Sequence, residues 1–185
     1  MQIDLSDDVR DVLCEIQKEL NELEPDNLFL LPRQYQHISF NQVVFWGGQY
    51  ALGTKKAWDM TADNFLSAYN KLNNIYPSFE ITFSKLIATA GGIIWTAADE
   101  EDAMESLRSK FQNNLPIPIE TTKLNHIVHT TVARYKNKLN SPQKVFDYLE
   151  KHDKSASMKV KKIVLRKELV FPSIETEELA SINLL

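Results

Sequence analysis

The spacing of apolar residues switches several times along the chain between the helical period of three to four and the alternation typical of strands. The helical period is clearest over residues 6–24, where the apolar residues are Val9, Val12, Leu13, Ile16, Leu20 and Leu23. Ser6, Asp7 and Asp8 give this segment the acidic start that favours a helix. We therefore predict a first helix over residues 6–24.

Aromatic and branched residues alternate with polar ones from Tyr35 to Trp46, which predicts a strand. Three glycines within residues 47–53 interrupt it. A second helical pattern then begins at Thr61 and continues to Ile75.

Two strand-like runs flank Ala90-Gly91-Gly92, so residues 79–98 are predicted to form a β-hairpin. The pattern then predicts a third helix after Asp99, an extended linker, a strand, a fourth helix and two closing strands. We place the strand at residues 125–135 and the start of the fourth helix at residue 141. The two closing strands are placed at residues 158–170 and 177–184.

This order repeats one unit, a helix, a strand, a helix and a strand pair, in each half of the chain. We therefore expect an α+β fold with an internal duplication of structure. The 185 residues are expected to form a single domain of two lobes, with the boundary between the lobes near residues 112–122.

The charge is distributed unevenly. The net charge of -4 excludes a protein that coats nucleic acid by bulk electrostatics. From Pro118 to Lys167, however, twelve Lys and Arg stand against four Asp and Glu. This local excess of positive charge fits an anionic ligand held at one place, and it equally fits a solvated face of lysines.

Other features limit the class of protein. No segment has the roughly 20 apolar residues needed to cross a bilayer, and the N-terminus lacks the pattern of a signal peptide. Cys14 is the single cysteine, and the four histidines lack the close carboxylate spacing of zinc hydrolases. We expect a cytoplasmic protein without a membrane partner, metal or cofactor. A monomer is the default, because no heptad pattern is evident.

The chemistry-bearing feature is a short motif that occurs at corresponding places in the two halves. Residues 37–39 read His-Ile-Ser and residues 129–131 read His-Thr-Thr, and both triplets lie in predicted strands. Because residues i and i+2 of a strand share a face, each motif presents an imidazole beside a hydroxyl. The middle residue faces the core, so the polar pair should face a cleft.

This pairing suits phosphodiester chemistry. Imidazole titrates near neutrality, so one of His37 and His129 can take a proton from the attacking oxygen while the other gives one to the leaving oxygen. The hydroxyls of Ser39 and Thr131 can donate hydrogen bonds to the non-bridging phosphate oxygens. The competing interpretation is a pair of half-buried, hydrogen-bonded histidines with a structural role.

Three neighbouring residues are candidate substrate contacts. Tyr35 and Tyr135 share the motif faces if the strands are regular, and each could stack on a base or pack at the rim. Arg134 has the opposite parity, but a bulge or strand end would turn its guanidinium toward a phosphate. His126 and His152 are expected to be structural.

With these motifs the sequence resembles the two-histidine (2H) phosphoesterase superfamily, which includes bacterial RNA 2',5'-ligases and cyclic phosphodiesterases. The closest match is His-Thr-Thr-Val-Ala-Arg-Tyr at 129–135, and weaker likeness extends over residues 3–13, Leu31-Pro32 and residues 161–169. The first motif departs from the family in having Ser where Thr is commoner. The opening strand is nearly absent, and residues 46–60 are longer and more aromatic than a simple connection.

The resemblance implies two pseudo-symmetric lobes of antiparallel sheet, with helices on the outside and the motifs facing each other across a central groove. It also implies that His37 and His129 are the acid–base pair and that Ser39 and Thr131 are phosphate ligands.

The sequence therefore predicts a metal-independent phosphodiesterase. Its substrates would be 2',3'-cyclic phosphates or 2',5'-linked or cyclic nucleotides or RNA, with ligation as the reverse reaction. A non-catalytic RNA- or nucleotide-binding module on the same fold is the alternative, and a plain interaction protein is a third interpretation.

Overall fold

The protein is described here by a computed structural model that covers residues 1–121, 127–170 and 175–185. These residues form four α-helices: α1 (Asp7–Leu23), α2 (Thr54–Asn70), α3 (Ala103–Asn114) and α4 (Pro142–Lys151). The strands are β1 (Gln2–Asp4), β2 (Leu28–Leu30), β3 (His37–Ser39), β4 (Phe79–Thr89), β5 (Gly92–Asp99), β6 (His129–Tyr135), β7 (Ala156–Val160), β8 (Lys162–Val170) and β9 (Glu175–Asn183).

All nine strands belong to one antiparallel sheet, whose order is β7-β4-β5-β6-β3-β1-β8-β9 with β2 also paired to β6. The sheet curls into half a barrel. Its two lobes meet where β6 pairs with β3. We call β7-β4-β5-β6 the β4 lobe and β3-β1-β8-β9 the β8 lobe. The predicted α+β, bilobal fold is confirmed, and the two motif strands lie side by side at its centre.

The lobes do not correspond to the two halves of the sequence. Strands β4 and β5 precede residues 112–122 but pair with β6 and β7, which follow that segment. Conversely, β1 and β3 join β8 from the other end of the chain. The predicted boundary therefore does not separate the lobes, because each lobe takes strands from both sides of residues 112–122.

The helices pack on the sheet face that carries the hydrophobic core. Helix α1 contacts β6 and β7, α4 contacts β4, and α2 contacts β9. The largest fully buried side chains are Trp95, Tyr69, Phe40, Phe65, Phe83 and Phe111. Along the described part of the chain, no helix is both long and apolar enough to pass through a membrane.

Several predicted elements are confirmed, and others are wrong in their bounds. The first helix, the 79–98 hairpin and the third and fourth helices form as predicted. The predicted strand over 35–46 is only three residues long, because Tyr35 lies in a 3₁₀ turn and β3 ends at Ser39, before the buried residues Phe40 and Val43. Helix α2 begins at Thr54 rather than Thr61, and the run 158–170 splits into β7 and β8.

Gly92 allows β5 to lie close to β6 beside the second motif. Its φ of +151° is rare for residues with a side chain, and a Cβ there would lie 2.1 Å from the carbonyl oxygen of Ala133. Gly91, the neighbouring residue of the same turn, has open space around the corresponding position. The second glycine of the hairpin is therefore required by packing, and the first is not.

We predict that Gly92→Ala lowers the free energy of unfolding by about 2 kcal/mol or more, because backbone atoms of β6 would have to move. Gly91→Ala is the matched control and should change stability little. Urea denaturation followed by circular dichroism measures both. Equal stability of the two variants would contradict this role of Gly92.

Candidate active site

The register between β3 and β6 brings the two motifs together. Ile38 pairs with Thr130 in an antiparallel ladder, so the histidine of each motif lies opposite the hydroxyl residue of the other. Ile38 and Thr130 are fully buried, and the flanking residues of both motifs project from the other face of the sheet. The imidazoles are thus diagonal neighbours on one face of the sheet, with Cβ atoms roughly 7 Å apart.

Each imidazole is oriented by the backbone carbonyl of the residue two positions before it, just outside its motif. The Nδ1 atom of His37 lies 2.7 Å from the carbonyl oxygen of Tyr35, and that of His129 lies 3.2 Å from the carbonyl oxygen of Ile127. A carbonyl oxygen only accepts hydrogen bonds, so Nδ1 carries the proton in both rings. In the neutral ring the basic lone pair is then on Nε2.

Burial lowers the pKa of His37 below its usual value. The hydrogen bond to Tyr35 and the negative charge of Asp4 act in the opposite direction but only in part offset burial. Asp4 lies opposite His37 in the pairing of β1 with β3, and its carboxylate accepts hydrogen bonds from Arg166 at 2.5 and 2.9 Å. The lowered pKa favours the neutral form of His37, the state that a general base needs.

Two buried glutamines connect helix α1 to both motifs, and sequence reasoning missed them. The Gln17 side-chain amide donates hydrogen bonds to the carbonyl oxygens of Leu31 and Val132, at 2.9 and 2.8 Å. Gln36 donates to the Gln17 side-chain oxygen at 3.2 Å. Gln36 immediately precedes the first motif and Val132 immediately follows the second. Gln17 interrupts the otherwise apolar stripe of α1, and this interruption could have indicated a buried hydrogen-bonding role.

A β-bulge in β6 changes the direction of the residues that follow the second motif. Ile93 pairs with Ala133 and Ile94 with Thr131, which leaves Val132 as the extra residue. Val132 and Ala133 are both fully buried, so the alternation of faces reverses after them. Arg134 consequently lies on the same face of the sheet as the histidines and hydroxyls of the motifs. This orientation is the one expected from the sequence if β6 contains a bulge.

The same bulge corrects the expectation for Tyr135. This residue pairs with the buried Leu28 and packs against the hydrophobic core, so it does not share the motif face. Tyr35 also lies outside the motif strand, and it contacts His37 through its backbone carbonyl. Both predictions assumed regular strands, and neither strand is regular at these positions.

The other two histidines have no place in this arrangement. His152 packs against the rings of Trp95 and Tyr148, with centroids 6.4 and 5.8 Å away, as expected for a structural residue. His126 lies outside the described residues.

A cavity of about 530 Å³ opens on the β3 side of the motif pair. His37 and Ser39 form one side of it. Opposite them are the loop after β3, with Phe45 and Trp46, and the first turns of α2, with Trp58. His129 and Thr131 stand beyond the cavity, on the neighbouring strand. The aromatic segment singled out at residues 46–60 thus contributes to the wall of a pocket beside the first motif.

A family model described as the 2'-5' RNA ligase superfamily matches residues 55–170, more than half of the chain. The chain belongs to this superfamily. The matched segment contains the second motif, and the superfamily is the two-histidine phosphoesterase group that the paired motifs resemble.

Several solved structures share the fold. The protein TT0787 of Thermus thermophilus superposes with a TM-score of 0.63 at 16% identity, over 98% of this chain and 94% of that one. Escherichia coli LigT complexed with 3'-AMP gives a TM-score of 0.61 at 11% identity, over 99% and 94%. A complex of LigT with NADP+ gives 0.61 at 12%, over 99% and 95%. Among curated protein sequences, none matches the chain significantly.

We predict that His37 in the native protein carries its proton on Nδ1 and titrates at lower pH than the same residue in the urea-unfolded chain. The physical reason is its burial together with the hydrogen bond to Tyr35. Long-range proton–nitrogen NMR correlation spectra reveal both the tautomer and the titration. A proton on Nε2, or a native pKa above that of the unfolded chain, would contradict the proposed orientation.

Proposed function

We propose that this superfamily member is a phosphodiesterase that uses His37 and His129 as an acid–base pair. Its substrates would be 2',3'-cyclic phosphates or 2',5'-linked or cyclic nucleotides or RNA. The observation that carries the proposal is the β3–β6 register, which places two imidazoles and two hydroxyls next to one another on one face of the sheet. The matching carbonyl contacts at both Nδ1 atoms support the same use of both Nε2 atoms.

In the proposed hydrolysis, neutral His37 takes a proton from an attacking water through Nε2. A bond forms between the water oxygen and phosphorus, and the bond from phosphorus to the leaving ribose oxygen breaks. Protonated His129 gives its proton to that oxygen. The lowered pKa of His37 favours it as the base, because its neutral form persists to lower pH than usual. When a ribose hydroxyl attacks a 2',3'-cyclic phosphate in place of water, His37 takes its proton, the bond from phosphorus to one ring oxygen breaks and His129 protonates that oxygen, which joins the two molecules by ligation.

The hydroxyls of Ser39 and Thr131 would hold the non-bridging oxygens, because Ser39 lies opposite His129 and Thr131 lies opposite His37 in the paired strands. Arg134, turned to the same face by the bulge, adds a positive charge next to the second motif. The two imidazoles can supply both proton transfers, so the proposed reaction should continue in the presence of a chelator.

The substrate class rests on chemistry and on the relatives. LigT of Escherichia coli has been solved with 3'-AMP and with NADP+, both of which are nucleotides, and the matching family is named for 2'-5' RNA ligases. A nucleotide phosphodiester is therefore the substrate to test first. Binding of these ligands without any turnover would favour the alternative, a nucleotide-binding module.

We predict that His37→Ala and His129→Ala each reduce kcat/KM for a 2',3'-cyclic nucleotide by about 100- to 10,000-fold, the usual contribution of an acid or base. Thr131→Val should reduce it by about 100-fold, because one hydrogen bond to the developing charge is lost. A continuous assay in the presence of EDTA provides the rates.

The chain supplies matched controls. Thr130→Val removes a hydroxyl that is buried on the other face and has no hydrogen-bond partner within the described ranges, so its rate should equal that of the native protein. His152→Gln should also retain the native rate. Full activity of a His37, His129 double variant would overturn the proposal, as would equal losses in Thr130→Val and Thr131→Val.

A further inference from the structure

The cavity beside the first motif has a composition that the acid–base pair does not explain. We propose that it binds the nucleobase of the substrate nucleotide, and that the base stacks on Trp46. This inference rests on the proposed function, since it concerns the same substrate. The nucleobase would then be recognised beside the β8 lobe alone.

Trp46 is the first reason. Its side chain is 69% exposed, more than that of any other aromatic residue among the exposed large hydrophobic residues, yet it lies at the wall of the cavity. The Phe45 ring supports it at a centroid distance of 5.2 Å, with the two planes tilted by 57°. An exposed indole held by a second ring offers a flat surface on which any nucleobase can stack.

The charge of the cavity is the second reason. Its lining contains the cations Lys55, Arg166 and Lys167 and the carboxylates of Asp59 and Glu168, so positive and negative charges nearly balance. Moreover, Lys55 is 2.8 Å from Asp59, and Arg166 is paired with Asp4. A nearly neutral lining suits an uncharged ring better than a second phosphate, and it leaves the phosphate to the motif residues.

Gln42 is the third reason, because it favours a ring with hydrogen-bond donors over a plain apolar ring. Its side chain lines the cavity, and its Oε1 atom is buried without a hydrogen-bond partner in the part of the chain that the structure describes. An unsatisfied buried acceptor of this kind is costly unless a donor reaches it. The N–H groups at the edge of a nucleobase are such donors, and a hydrocarbon ring has none.

The position and size of the cavity fit one nucleoside. A volume of about 530 Å³ lies within the usual range for small-ligand sites. Since the cavity includes His37 and Ser39, a base in it would lie on the His37 side of the phosphate. The two sides of the phosphodiester would therefore be recognised differently, although the two motifs are alike.

The test compares Trp46→Ala with Trp46→Phe in the full chain. The probes are 2'-AMP and 3'-AMP, with ribose 5-phosphate as a ligand that lacks a base, and isothermal titration calorimetry measures binding. We expect Trp46→Ala to raise the Kd for both nucleotides by roughly tenfold or more, because stacking is lost. The Kd for ribose 5-phosphate should not change, and Trp46→Phe should restore most of the nucleotide affinity.

Phe146→Ala is the control, because Phe146 is an exposed aromatic residue on α4, away from the cavity, and its loss should leave nucleotide binding unchanged. Unaltered nucleotide affinity in Trp46→Ala would overturn the inference, as would an equal loss for ribose 5-phosphate.

The two proposals fail in different ways. If binding depends on Trp46 but no phosphodiester is turned over, the base site stands and the proposed catalysis fails. If ribose 2',3'-cyclic phosphate and its adenosine counterpart are hydrolysed with equal kcat/KM in both native protein and Trp46→Ala, the catalysis stands and the base site fails.

Discussion

The pairing of β3 with β6 is the interaction on which the site depends. A shift of β3 by one residue against β6 would turn His37 and Ser39 into the core and bring Ile38 to the open face, so the two imidazoles would lie on opposite faces of the sheet. Strand β3 has only three residues, so its own ladder is short. The Gln17 and Gln36 amides and the close approach of β5 at Gly92 fix the two strands from behind and from the side.

Much of the fold follows from local sequence patterns. The apolar stripe of α1 and the glycine turn of the hairpin are local signals, and they gave correct elements. Other features depend on partners far away in the sequence. They are the length of β3, the combination of sequence-distant strands in each lobe and the bulge at Val132. Alternation over 35–46 indicated burial at Ile38 and Phe40 correctly, but the strand itself ends at Ser39.

In the site, as in the fold, the local features could be predicted from the sequence and the long-range arrangement could not. A histidine followed by a hydroxyl two residues later defines one face of a strand, so the four motif residues could be chosen from the sequence. Their diagonal arrangement could not, because it requires the register. The pocket of Trp46 and Gln42 was only hinted at by an aromatic segment, and the Asp4–Arg166 pair beside His37 gave no local signal.

The central claim is that both imidazoles act on a single phosphate, and a crystal structure of the protein with 2'-AMP tests it most directly. The account predicts that the phosphate lies between the rings, with an oxygen about 3 Å from Nε2 of His37 and another about 3 Å from Nε2 of His129. A phosphate that contacts only one of the two rings, or that binds elsewhere on the protein, would contradict it.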